Sequence, residues 1–204
     1  MEKDLLRKHY EHRKNYYLDP LVTPLGEYLC DRFATYPRID NINVRVKDIN
    51  RFIEKSLKIN ENGLNKYNDP LNEIQDQIGA RIITYYLSDV DQISEIVESY
   101  FKHIERTKII PDSIKEFGYE GKHYILFLPE DIIPDTEHKK RIIPFFELQI
   151  KTLFQHAWSE AEHDLGYKSN IPLSHEQKRK ISFTAAQSWG ADMIFNELYL
   201  NGNN

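Results

Sequence analysis

The sequence predicts an α+β fold, a mixed β-sheet covered by helices, with helical extensions at both ends. Three observations predict it. Segments with apolar residues at helical spacing alternate with segments rich in β-branched and aromatic residues. Their order runs from helices, through strands joined by crossover helices, back to helices. The chain has 204 residues, 40% of them apolar, with 10 Phe, 13 Tyr and 2 Trp, which suits one domain with a sizeable core.

Taken in order, residues 2–17 carry Leu5, Leu6, Tyr10 and Tyr17 at helical intervals and predict a helix, which Pro20 and Pro24 interrupt. A second helix runs from about Pro24 to Phe33. Residues 42–46 alternate and predict a strand, and 48–58 carry the helical stripe Ile49, Phe52, Ile53 and Leu57. The Asn-rich stretch 59–72 predicts a loop. Residues 78–87 are β-branched and aromatic, as a central strand would be, and Ser88 or Asp89 can cap the helix that follows. Strands are further expected at 106–110, 123–128 and 145–151, with a polar loop at 111–122 and a charged connection at 129–143. Helices at 152–165 and 174–199 complete the chain. The domain division is then a helical extension over 1–39, a core over 40–170 and a helix packed on that core over 171–204.

The formal charge of −5 gives no global reason to bind nucleic acid or an anionic membrane, though a local basic cleft stays open. A single cysteine, Cys30, excludes an internal disulfide framework and suits a reducing compartment. No apolar run reaches the roughly 18–20 residues of a membrane span, and the first residues are too charged for a signal peptide, so a cytoplasmic location without membrane contact is expected.

Four groups of residues carry chemistry. Asp76 precedes the central strand, and Glu147 lies inside another strand, alternating with Gln149 and Lys151. A carboxylate in an apolar strand is costly without a partner. The two acids could hold Mg²⁺, or one could accept a proton from an attacking hydroxyl; equally, Glu147 could pair with Lys151 or Arg81 on a solvated face. Arg45, Lys47, Arg51 and Lys55 form a cationic group that suits a triphosphate, or a solvated basic helix face. Lys115 and the run Gly118-Tyr119-Glu120-Gly121-Lys122-His123 could present a ring to a nucleobase, or form an ordinary turn. His156, Glu160 and His163 share a helix face, but no matching motif elsewhere supports a metal site, so a role bracing the sheet is expected. There is no His-Glu-x-x-His motif, no cysteine pair and no Walker loop.

In this order, Arg45-Val-Lys47, Asp76-x-x-Gly79-x-Arg81, Gly118-Tyr119-x-x-x-His123, Glu147-Leu-Gln149-Ile-Lys151-Thr152, His156-Ala-Trp158 and Glu162-His163-x-x-x-Tyr167-Lys168 resemble the synthetase domain of the RelA/SpoT family over roughly residues 40–170. Members make the alarmones ppGpp and pppGpp. The resemblance implies a nucleotidyltransferase-like mixed sheet and a stand-alone small alarmone synthetase. It implies transfer of the β,γ-pyrophosphate of ATP to the 3′-hydroxyl of GDP or GTP, with Mg²⁺ as cofactor. By position it implies donor ATP contacts at Arg45, Lys47, Lys55 and Arg81, and acceptor contacts at Lys115, Tyr119, Lys122, His123 and Lys151. Asp76 and Glu147 would hold the metal, and Asp76, Glu147 and Gln149 would form the catalytic set, with Glu147 also able to activate the hydroxyl.

The sequence departs from the family pattern mostly on the acceptor side. Lys151 replaces an Arg, which loses a bidentate fork, and Glu120-Gly121-Lys122 replaces a basic stretch beside the stacking tyrosine. Arg51 stands where many members have Ser, and the segment before Tyr119 is short. Alternatives therefore stay open: a toxin-like relative acting on tRNA 3′ ends or adenosine nucleotides, or an inactive nucleotide-sensing module. The run Lys139-Lys140-Arg141 is the expected surface for a tRNA, or a solvated loop. A homo-oligomer is also open.

Overall fold

The computed structural model describes residues 3–101, 103–108, 121–168 and 173–202. The N-terminal helical run is built from α1 (Lys3–Arg13), a π-helical turn over Lys14–Leu18, a 3₁₀ turn over Asp19–Leu21 and α2 (Val22–Arg32). Pro20 and Pro24 do not break it as the sequence suggests. Pro20 sits in the 3₁₀ turn and Pro24 in the first turn of α2, where a missing N–H costs nothing.

Strand β1 (Ile39–Val46) starts three residues earlier than expected, because Ile39 and Asn41 pair with the far end of β2 (Ile78–Thr84) across an irregularity at Asp40. Helix α3 (Ile49–Ser56) follows, capped by the Asp48 carboxylate, which accepts from the N–H groups of Asn50 and Arg51. The Asn-rich loop holds an isolated bridge between Ile59 and Asn65 and ends in a single turn, α4 (Pro70–Glu73). Strand β2 stops at Thr84, shorter than expected, since the Tyr86 N–H donates to the Asp89 carboxylate at 3.1 Å and starts α5 (Leu87–Tyr100). Then come β3 (His103–Lys108), β4 (Lys122–Phe127), α6 (Thr136–Arg141), β5 (Phe145–Thr152), α7 (Leu153–Lys168) and α8 (His175–Gly202). Helix α6 lies where only a charged connection is expected, and is capped by Asp135, which accepts from the His138 N–H at 2.8 Å.

The five described strands form one sheet in the order β1-β2-β5-β4-β3. Among the described residues the central β2–β5 pair is parallel and the pairs flanking it are antiparallel. A mixed sheet covered by helices is therefore what the chain adopts. Strand alternation sorts the side chains. Ala80, Ile82, Tyr124, Leu126, Phe146, Leu148 and Ile150 point to one face and are buried in the core, together with Leu25 and Leu29 of α2 and Ile93 and Val97 of α5. Burying each of the Leu, Ile, Val and Phe side chains among them contributes about 1.5–3 kcal/mol. The register places a second set on the opposite face in two cross-strand rows: Arg45, Gly79, Glu147 and Ile125, and beside it Asn43, Arg81, Gln149 and His123.

Close contacts at the end of β5 and along α8 fix the frame around that face. Gly121, just before β4, lies so close to β5 that a Cβ there would collide with the Ile150 carbonyl oxygen. Helix α8 is tied to the end of β5 by Thr152, whose hydroxyl donates to Asp192, and to the start of α5 by the Ser88 N–H, which donates to Asn196 at 2.9 Å. Tyr199 of α8 stacks on Tyr86 at 4.3 Å, with the Arg38 guanidinium 4.7 Å from the Tyr199 ring centre. Among the described residues, no helix is long and apolar enough to cross a membrane.

Candidate active site

The polar face of the sheet opens into a cleft of two lobes that share Arg45, Gly79 and Glu147. Gly79 separates Arg45 from Glu147 in their cross-strand row, and a Cβ there would meet nothing within 4 Å. Its missing side chain keeps the two lobes continuous.

The first lobe, about 440 Å³, lies where β1 turns into α3. Arg45, Lys47, Arg51, Asp76 and Glu147 line it. The turn brings the two lysines together: Lys47 leaves the end of β1 and Lys55 comes from the last turn of α3. Both ammonium groups reach the same oxygen, Oδ2 of Asp76, at 2.9 and 2.7 Å. The other oxygen, Oδ1, is buried and has no hydrogen-bond partner among the described residues. Asp76 is placed by its neighbour Gln77, which is fully buried. The Gln77 side-chain amide donates to the carbonyls of Leu71 and Ile74 at 2.7 and 3.0 Å, and its backbone carbonyl accepts from the Lys47 N–H at 2.9 Å.

Glu147 stands between the lobes. It accepts from His123 Nδ1 at 3.3 Å and from the Gln149 amide at 2.8 Å. Burial alone would raise its pKa, but the hydrogen bond and charge of His123, the Gln149 amide and the Lys47 charge together bring it down from 4.5 to about 2. Glu147 is thus held ionised. His123 Nε2 and Gln149 Oε1 are buried with no partner among the described residues. The expected alternative pairing of Glu147 with Lys151 or Arg81 does not form, because both cations are engaged with α7.

The second lobe, about 300 Å³, is lined by Asn41, Asn43, Arg81, Gln149, His156 and Glu160 among others. Arg81 donates to Glu160 at 2.9 Å and to His156 Nδ1 at 3.2 Å. Arg81 can only donate, so His156 Nδ1 accepts from it, and burial and the Arg81 charge hold the imidazole pKa below its ordinary range. Burial would raise Glu160, but the charge and hydrogen bond of Arg81 lower it. His156 and Glu160 therefore brace the sheet, as their helix spacing suggests. Arg45 is itself lowered, by burial and then by Arg81 and Arg51, which marks the cleft as crowded with positive charge.

The structure brings Arg45, Lys47, Lys55, Asp76, Arg81, His123, Glu147 and Gln149 to this one face. It does not bring two others. Lys122 points to the opposite face, one residue out of phase with His123, and pairs with Asp91 of α5 at 2.7 Å. Lys151 is 4% exposed and donates to Ser159 of α7 at 3.1 Å, away from both lobes. Lys115 and Tyr119 lie outside the described residues. Of the run at 139–141, Lys139 pairs with Glu130 and Arg141 with Glu137, both at the surface.

Sequence reasoning missed Gln77, Asn41 and Asn43. The two asparagines alternate with Arg45 and could have been found by extending the strand backwards; Gln77 carries no sequence signal, since its side chain bonds to main-chain carbonyls, which any residue supplies. A cavity of about 460 Å³, larger than either lobe, lies between Tyr28, Tyr100, Phe101 and Phe127, but it is aromatic and its ion pair, Glu130–Lys139, is exposed.

An acid with a partnerless buried oxygen beside a second, ionised acid fits a hard divalent cation, which takes one or two carboxylates and completes its shell with substrate phosphates. Asp76 and Glu147 meet that description. Among the described residues, no group of three or more His, Cys, Asp or Glu gathers in an all-protein metal cage.

Comparison with known proteins agrees with this picture. The sequence profile described as "Region found in RelA / SpoT proteins" matches residues 44–172. The chain is similar to the GTP pyrophosphokinase YjbM of Bacillus subtilis (strain 168), 28% identical over 158 residues that cover 74% of this chain and 66% of that protein. It is also similar to the GTP pyrophosphokinase YwaC of the same organism, 26% identical over 137 residues, 65% of this chain and 60% of that protein. The chain thus spans at most 66% of the length of these two relatives. Its fold is similar to that of small alarmone synthetase 1 from Bacillus subtilis bound to its product pppGpp, with a TM-score of 0.76 at 20% identity, covering 95% of this chain and 98% of that one.

Proposed function

The chain belongs to the RelA/SpoT family, and on that premise we propose that it is an ATP:GTP 3′-diphosphotransferase, which moves the β,γ-pyrophosphate of ATP onto the 3′-hydroxyl of GDP or GTP to give ppGpp or pppGpp. The observation that carries the reading is the charge arrangement of the cleft. Lys47 and Lys55 converge on Asp76 in one lobe, and an ionised Glu147 separates that lobe from the second. The names of the curated relatives, both GTP pyrophosphokinases, support it.

In this reading the triphosphate lies along Arg45, Lys47 and Lys55, whose charges offset the oxygens of the transferring group. Arg81, held by His156 and Glu160, lines the remainder of the donor site. Asp76 through Oδ1 and Glu147 would hold Mg²⁺, which when bound neutralises charge on the phosphoryl oxygens. The acceptor 3′-oxygen bonds to the β-phosphorus, the bond from that phosphorus to the α–β bridging oxygen breaks, and AMP leaves with the bridging oxygen. Glu147 accepts the hydrogen bond of the attacking hydroxyl and so orients it, with Gln149 and His123 holding the carboxylate in place. A carboxylate of pKa about 2 is a weak base. The hydroxyl proton is therefore released late, by way of Glu147 to solvent, as a loose phosphoryl-type transition state permits. Tyr119 would stack on the acceptor base, with Lys115 and His123 on the acceptor side.

The test is incubation of the protein with Mg²⁺, ATP labelled in its β,γ-phosphates, and one acceptor at a time: GDP, GTP, ATP or deacylated tRNA. Label should appear on GDP and GTP, with one AMP released per transfer, and GDP should be the better acceptor because it carries less charge and the sequence next to Tyr119 is acidic. Label on tRNA or ATP alone would replace this acceptor with that one. Absence of AMP with every acceptor would leave a nucleotide-sensing module.

A further inference from the structure

We propose that helix α1 is a working part of the donor site, and that Tyr10 is the positioning residue through which it sets Lys47. The inference rests on the donor reading of the Lys47–Lys55–Asp76 cluster. Helix α1 lies before the residues that match the family profile, 44–172, yet it grips both walls of that cluster.

Tyr10 is fully buried. Its ring stacks on Phe52 of α3, centroids 3.7 Å apart and planes within 2°. Its hydroxyl donates to the backbone carbonyl of Lys47 at 2.9 Å. This is the point where the β1–β2 ladder has just ended, at the Val46–Ile78 pair. One turn further along α1, Arg13 donates to the Leu71 carbonyl and reaches Asn72 and the side-chain oxygen of Gln77 at 3.4 and 3.5 Å. One turn earlier, Arg7 donates to Asn50 at 2.7 Å. Residues three apart on a helix share a face, so one stripe of α1 holds the β1–α3 corner with Tyr10 and Arg7, and the entry to β2 with Arg13.

Those are the two segments whose side chains meet as Lys47 and Asp76. In the proposed donor site Lys47 faces the phosphoryl groups and Asp76 the metal, and small displacements of either charge cost much of its effect. The ring of Tyr10 would be served as well by phenylalanine, which stacks equally and has no hydroxyl to bury. The hydroxyl gains only by fixing the Lys47 main chain, and hence where the Lys47 ammonium can reach.

The experiment uses Tyr10→Phe, which keeps the ring and removes only the hydroxyl. A control, Tyr124→Phe, removes another buried hydroxyl, one that donates to Glu98 on the far face of the sheet at 2.9 Å. Three readouts are taken: circular dichroism for fold, calorimetric binding of a non-hydrolysable ATP analogue with Mg²⁺, and steady-state kinetics with each substrate varied. Tyr10→Phe should keep the fold and weaken analogue binding or raise the ATP KM by about fivefold, the net worth of one neutral hydrogen bond. Its acceptor KM should stay within about twofold of wild type, and Tyr124→Phe should leave every donor value unchanged. Arg13→Lys, which keeps the charge but loses the fork, should repeat the donor-side signature and serves if Tyr10→Phe does not fold. Wild-type analogue affinity and ATP KM in a folded Tyr10→Phe, or an equal donor-side loss in Tyr124→Phe, would overturn the inference. A wild type without transferase activity would overturn the proposed reaction instead, and analogue binding would still decide the role of Tyr10.

Discussion

Replacing Glu147 by glutamine removes the charge at the junction of the two lobes and keeps the shape. The side chain is 22% exposed, and its pKa falls from 4.5 to about 2, chiefly through His123 working against burial. At about 1.4 kcal/mol per pH unit, that difference is worth roughly 3 kcal/mol of stability. The sign follows from a folded pKa below the unfolded one. The contribution is complete above about pH 4.5, where the unfolded chain is also ionised, and is lost as the pH falls toward 2. Urea unfolding of wild type and Glu147→Gln at several pH values between 5 and 2.5 should therefore show a stability difference that shifts against the wild type as the pH falls, by up to about 3 kcal/mol. Activity gives the second readout. On the proposed mechanism the acceptor hydroxyl would lose its orienting partner and the metal a ligand, so transfer should drop on the order of a thousandfold at pH 7 while the protein stays folded. A pH-independent stability difference would refute the ion-paired state of Glu147, and near wild-type turnover would remove it from the mechanism.

Asp76→Asn should nearly abolish transfer with the fold intact, since it leaves Lys47 and Lys55 facing a neutral amide; calorimetric titration with Mg²⁺ and an ATP analogue should show the metal-dependent part of the binding gone, and an unchanged isotherm would sink the assignment. Arg45→Ala should raise the ATP KM or lower kcat with little change in acceptor KM; a change confined to the acceptor KM would reverse the two subsites. Tyr119→Ala should cost about 1–3 kcal/mol of stacking and cripple transfer, whereas Tyr119→Phe should be mild, as read from steady-state kinetics with GDP; equal losses in both would argue that the hydroxyl, not the ring, is what matters.

The sequence by itself determined the fold class, because binary patterning is local. The apolar alternation of Ile78–Thr84 and Phe145–Thr152 needs no distant partner to be recognised, and the motifs around Asp76 and Glu147 sit on those same strands. Where it erred on boundaries, a tertiary partner outweighed the local signal. Polar Asn41 joined β1 because β2 offered a ladder to pair with, and α6 formed in a charged connection because Asp135 capped it.

What only the tertiary structure decided is which of the candidate charges meet. From spacing alone Lys122 and His123 are neighbours, yet pleating sends them to opposite faces, one to Asp91 and the other to Glu147. Lys151 shares the alternation of Glu147 and Gln149, but the start of α7 closes over it and Ser159 takes its ammonium. Lys47, Lys55 and Asp76 are up to 29 positions apart in sequence and end on one oxygen, because a β–turn–α corner and the head of the next strand are folded against the same helix, α1. Side-chain chemistry is written residue by residue, but the pairing of charges depends on distances between segments, and those are set only when the core packs.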